Sequence, residues 1–122
     1  MITLATLANA TAQQVFDQVA AHLIAQGKPA KNGKGYCVYR NDEGLKCAGG
    51  CLIGDDEYSP EFEFNRWAGL IEDGFVPDVH HKLINQLQLL HDSMVEVADF
   101  NGRLRSIAKY HSLNTHVLDG IK

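Results

Sequence analysis

The sequence predicts an α+β domain that is mostly helical, with three to four helices packed on a small β-hairpin. Three observations lead there. Apolar residues recur at helical spacing over two long stretches, 11–26 and 78–97. Between them, Tyr36-Cys37-Val38-Tyr39 and Leu45-Lys46-Cys47-Ala48 have strand-like composition on either side of Asn41-Asp42-Glu43-Gly44, whose residues favour a turn. The length of 122 residues is that of a single domain. A two-stranded sheet is not stable alone, so the helices must cover it.

Each element has its own local signal. Residues 1–10 carry Ile2, Leu4 and Leu7 and are expected to pack as an extended arm. In 11–26, Val15, Phe16, Val19, Ala20, Leu23 and Ile24 make one apolar stripe. Thr11 with Gln14 three residues on forms a capping-box pattern, Gly27 fits the C′ position, and Pro29 prevents resumption. Residues 28–35 form a loop, followed by the predicted hairpin. Gly49 and Gly50 free the backbone for a sharp bend or a close contact, and Cys51-Leu52-Ile53 reads equally as strand or helical turn. A short helix carries Trp67, Leu70 and Ile71 and ends at Gly74. Its cap is Asn65, or the helix starts earlier at Ser59-Pro60. A longer helix runs from about Asp78 towards Val97, with Val79, Leu83, Leu87, Leu90 and Met94 in register and Ile84 widening the stripe. The last helix covers 101–112, with Leu104, Ile107 and Ala108 inward, and no element is assigned to the tail 114–122. Phe16, Val19, Leu23, Leu83, Leu87, Leu90 and Ile107 are the predicted core.

Hydrophobic residues make up 45% and charged residues 21%, which excludes a disordered chain, a collagen-like repeat and a disulfide miniprotein. No apolar run is long enough to span a bilayer and no signal-peptide pattern is present, so a cytoplasmic protein is expected. The net charge of -4 disfavours general duplex nucleic-acid binding. Charge is also segregated. Lys28, Lys31, Lys34, Arg40 and Lys46 cluster early, an acidic stretch from Asp55 to Asp78 follows, and Arg103, Arg105 and Lys109 come late.

Candidate chemistry is sparse. There is no Walker loop, G-x-S-x-G, H-E-x-x-H or C-x-x-C. Cys37, Cys47 and Cys51 are odd in number, and the small or apolar neighbours of Cys47 and Cys51 suit buried structural thiols. A zinc site or a reactive thiol are the alternatives. No metal or cofactor is expected. His91 lies just beyond the apolar face of the long helix, either as a helix-edge residue bonded to another segment or as a proton shuttle. Asp92, about 100° further round, is poorly placed to orient it.

One constellation suits an anionic ligand. Lys28, Lys31 and Lys34 offer ammonium groups, and Tyr36, Tyr39 and Arg40 offer rings and a guanidinium. A second suits an interface: Phe62, Phe64, Trp67 and Phe75 crowd a short acidic stretch, and the small helix there cannot turn all four rings inward. A homodimer or docking surface is expected at that segment.

The run Ala12-Gln-Gln-Val-Phe-Asp-Gln-Val19, then Cys37-x-Tyr39-Arg40, then Gly44-Leu-Lys-Cys-Ala-x-Gly-Cys-Leu-Ile53 with Asp56-Glu57-Tyr58, and finally Leu87-Gln88-x-x-His91-Asp92, resembles a set of small proteins from tailed phages and prophages. The resemblance runs from about residue 11 to residue 113. It departs at Phe100, near a place where members often have tryptophan, which suggests packing there. The resemblance implies a viral or prophage origin and expression in a bacterial cytoplasm, and it brings no assigned activity. The function that follows is non-catalytic binding of a host molecule, in counter-defence or host takeover. The target would be a host protein met by the acidic 55–78 region, or a nucleotide second messenger held by the 28–40 region. The alternatives are a structural or assembly component of a phage, and a small enzyme using Cys47 or Cys51 with a histidine, or His91 as general acid/base.

Overall fold

A computed structural model describes residues 1–63, 65–92 and 97–119, apart from the side chains of 91, 92 and 97–100. In chain order these residues form helix α1 (Leu4–Leu7), α2 (Ala12–Gln26), single 3-10 turns at Gly50–Leu52 and Pro60–Phe62, then α3 (Trp67–Glu72), α4 (His81–Asp92), α5 (Val97–Tyr110) and α6 (His116–Asp119). Helix α2 is the hub, packed on by α4, α5 and α6 and by the first 3-10 turn.

The start of α2 follows from two residues. Gln14 N–H donates to Thr11 Oγ1 at 3.1 Å, and Thr11 N–H donates to Gln14 Oε1 at 2.9 Å, so two orphan donors of the first turn satisfy each other's caps. Gly27 at φ 71° ends the helix, a conformation that a Cβ would strain. The buried face, Val15, Phe16, Val19, Ala20 and Leu23, joins Leu83, Ile84, Leu87 and Leu90 of α4 and Leu104 and Ala108 of α5 in one core cluster. Ile107 packs at its edge. Met94 lies outside the described residues. Leu118 of α6 enters the same cluster, and Gln13 pairs with both backbone groups of Asn114. The described part of the tail, 114–119, is therefore docked.

The arm is not extended. Leu4–Leu7 makes one helical turn and buries Leu7 completely. Three side chains from elsewhere fasten it. Gln18 bonds both backbone groups of Ile2, and a ring nitrogen of His80 lies 2.7 Å from Ala10 O. The Glu57 carboxylate accepts from Leu4 N–H at 2.8 Å, Ala5 N–H at 2.9 Å and Gly54 N–H at 2.7 Å. Desolvation pushes the Glu57 pKa up, but the three N–H donors together outweigh it and hold the carboxyl below its ordinary range. A depressed folded-state pKa contributes stability that is present above the unfolded value and is lost as pH falls through the folded one. Urea titrations between about pH 6 and pH 3 should therefore show wild type losing stability more steeply than Glu57→Gln, the two converging in acid. Parallel curves would mean the carboxylate carries no such linkage.

The predicted hairpin is absent, and with it the α+β class. Among the described residues there is no strand, only the isolated bridges Lys31↔Cys37 and Arg40↔Lys46, so the domain is all-helical. The reason lies in where the backbone donors go. Tyr39 N–H and Arg40 N–H donate to the two Glu63 carboxylate oxygens, at 2.9 and 3.3 Å. Lys46 N–H donates to Gln26 Oε1 at 2.9 Å. Side chains thus take the N–H groups that a ladder would need. The turn itself is present, closed by Gly44 N–H on Asn41 O.

Other boundaries shift for identifiable reasons. Cys51-Leu52 resolves into the 3-10 turn. Ser59-Pro60 does start a helical turn, capped by Ser59 Oγ, but it stops at Phe62. The residue at the N-cap of α3 is Arg66, not Asn65. The turn ending in Gly74 closes α3 with Phe75 N–H on Leu70 O and Gly74 N–H on Ile71 O. Helix α4 starts only after His80, whose φ of 53° breaks the path from Asp78. Helix α5 begins earlier than predicted and ends with Ser112 at φ 58° and Leu113 N–H on Ala108 O. Among the described residues no helix is long and apolar enough to cross a membrane.

Candidate functional site

Within the predicted anion surface, Arg40 already has partners of its own chain. Arg40 donates through Nη1 to Asp55 Oδ1 at 2.7 Å and through Nη2 to Ile53 O at 2.5 Å, and its guanidinium lies 5.2 Å from the centre of the Tyr58 ring. Lys46 Nζ approaches the same Asp55 oxygen at 3.6 Å. Arg40, and after it Lys46, hold the exposed Asp55 carboxyl below its usual range. The start of the acidic stretch thus folds onto the basic one. Lys28 sits 3.9 Å from Glu43 at the surface, Lys34 and Tyr36 are exposed, and Lys31 is half-buried. Tyr39 is buried, its hydroxyl donating to Asn65 O at 2.7 Å, so it presents no open ring for stacking.

The aromatic segment is likewise divided. Phe62 and Trp67 are buried in the core of this one chain, which removes them from an exposed patch. Phe75 is 40% exposed and lies 5.1 Å from Phe62. Phe64 lies outside the described residues. Cys47 and Cys51 lie next to each other, and each sulfur bonds backbone. Cys47 Sγ accepts from Gly50 N–H at 3.3 Å, and Cys51 Sγ donates to Ala48 O at 3.1 Å. Burial, then the neighbouring Cys47, push the Cys51 thiol up, which keeps it protonated and poorly nucleophilic. Among the described residues no three His, Cys, Asp or Glu side chains gather as a metal site. The side chains of His91 and Asp92 lie outside the description.

What the fold does build is a cleft of about 350 Å³ with mixed polar and apolar walls, within the size range of small-molecule sites. Three segments line it: Cys37, Val38 and Tyr39 from the bridged loop; Glu63, Asn65, Arg66 and Trp67 leading into α3; and Asn85, Gln88 and Leu89 from α4. Positions 85, 88 and 89 share one face because their spacing is three and four. Glu63 ties the first two segments together. Its oxygens hold the Tyr39 and Arg40 N–H groups, and Tyr58 Oη donates to Oε2 at 2.5 Å. Burial, then this bond to Glu63, raise the Tyr58 phenol to about 12. Gln88 ties in the third segment, its Oε1 accepting from Gly49 N–H at 2.8 Å.

The remaining polar capacity of this cleft is mostly donor. Gln88 Nε2, the Asn85 carboxamide and the exposed Arg66 guanidinium make no hydrogen bond or ion pair with a described residue. Trp67 Nε1 is buried with no acceptor in reach. Of the predicted site residues, Tyr39 from the ligand set and Trp67 from the interface set line the cleft; Arg40 bonds Asp55 instead. Glu63, Asn65, Arg66 and Asn85 carry no motif, Gln88 lies in the Leu87-Gln88-x-x-His91-Asp92 run of the resemblance, and the three-residue spacing of Asn85 and Gln88 on a strong helix places them on one edge. Compared with protein-family models, with curated proteins and with solved structures, the chain matches none.

Proposed function

We propose that this chain is a non-catalytic binding protein, a small accessory factor of a tailed phage or prophage that acts on a host molecule in the bacterial cytoplasm. The observation that supports binding is the cleft between the 37–39 loop, the approach to α3 and one face of α4, whose side chains offer more donors than the chain itself uses. A rigid frame around unspent hydrogen-bonding groups suits recognition. The electrostatics argue against nucleophilic catalysis at Cys51, whose thiol is pushed up by burial. The phage context rests on the sequence resemblance.

Native mass spectrometry of the chain purified from a bacterial host tests this reading. The expected result is a mass increment from a bound ligand or partner, absent in Asn85→Phe, which fills the cleft. A bare chain mass for wild type, or an increment kept by Asn85→Phe, overturns it.

A further inference from the structure

We infer that the cleft takes a small anion, recognised through a carboxylate or phosphate group by Arg66 together with the side-chain N–H groups of Asn85 and Gln88. The inference rests on the binding reading above and adds the ligand's chemistry. Gln88 has its acceptor end committed to Gly49 N–H at 2.8 Å, so the end without a described partner is the NH₂ group, a donor only. Arg66 is exposed and makes no ion pair with a described residue, and a guanidinium is always charged and never an acceptor. Asn85 brings a third N–H source. The one carboxylate in the lining, Glu63, has both oxygens engaged, by the Tyr39 and Arg40 N–H groups and by Tyr58 Oη.

The carboxamide oxygens of Asn65 and Asn85 are the open side-chain acceptors, and the N–H groups of Arg66, Asn85 and Gln88 outnumber them. A planar carboxylate or a phosphate matches a guanidinium beside amide N–H groups, and such charge-assisted bonds are the stronger kind. The cluster at Arg40 differs, because two cations there already share Asp55. Trp67, the single tryptophan of the chain, forms part of the cleft wall, so the site carries its own optical reporter.

The test is titration of wild type with inorganic phosphate, succinate and adenosine monophosphate, followed by Trp67 emission and in parallel by calorimetry, at low and high salt. The expected result is saturable binding of at least one of the three, weakened as salt rises and at least tenfold weaker in Arg66→Gln and in Asn85→Ala. Lys109→Gln, an exposed cation on α5, should bind as wild type does. Preference for phosphate and adenosine monophosphate over succinate would identify the group as a phosphate; the reverse order would identify a carboxylate. If none of the three binds by either readout, or if Arg66→Gln binds as tightly as wild type, the inference is overturned. A ligand increment that Asn85→Phe loses in native mass spectrometry would still stand in that case, so the two readings fail separately.

Discussion

Replacing Gly50 by alanine is expected to cost about 3 kcal/mol of stability, near the upper end of ordinary overpacking. An added Cβ would sit 2.1 Å from Tyr39 O and 3.0 Å from Tyr39 C. No flexible side chain can swing aside, because the obstacle is backbone. That backbone is also held from the far side, since Tyr39 N–H and Arg40 N–H are both bonded to Glu63. Moving the 39–40 peptide away from Gly50 would therefore break or stretch those bonds and disturb the wall of the cleft. Gly33 is the control, because a Cβ there meets nothing within 4 Å. Equilibrium denaturation should show a large fall in midpoint for Gly50→Ala and little change for Gly33→Ala. An unchanged midpoint for Gly50→Ala would mean that the 39–40 segment is free to slide.

Leu87→Ala is expected to cost about 2–5 kcal/mol, the range for emptying a closed core site. Leu87 has no exposed surface and sits in the central cluster, on a helix that packs against α2, α3 and α5 at once. Neighbours on three elements cannot all collapse into the space that three lost carbon atoms leave. Leu89, two residues on and 59% exposed, should tolerate the same change within about 0.5 kcal/mol. Similar midpoints for the two variants would place the wrong face of α4 inward.

The amino-acid sequence alone was enough for features decided within a few residues. Thr11, Gln14 and Gly27 bound α2 as their chemistry requires, and the stripe through Leu83, Leu87 and Leu90 picked the buried face of α4. Periodicity and caps are local, so they survive without knowledge of the rest of the chain. The cleft was legible only at Tyr39 and Trp67, and for Trp67 under another role. Asn65, Arg66, Asn85 and Gln88 are residue types found on any surface, and their local spacing does not say which other segments they will face.

The tertiary structure decided what depends on partners far along the chain. Tyr36-Cys37-Val38-Tyr39 has strand composition, yet whether it pairs as a strand depends on who takes its N–H groups. Glu63, 24 residues from Tyr39, takes one of them, and Gln26, 20 residues from Lys46, takes another on the returning limb. The same holds for Arg40, whose apparent availability to a ligand ended when Asp55 and Ile53 folded against it. Composition sets what a backbone or a guanidinium can bond to. Which of several competing partners reaches it first is settled by packing, because a hydrogen bond is made only where the whole fold brings donor and acceptor within about 3 Å.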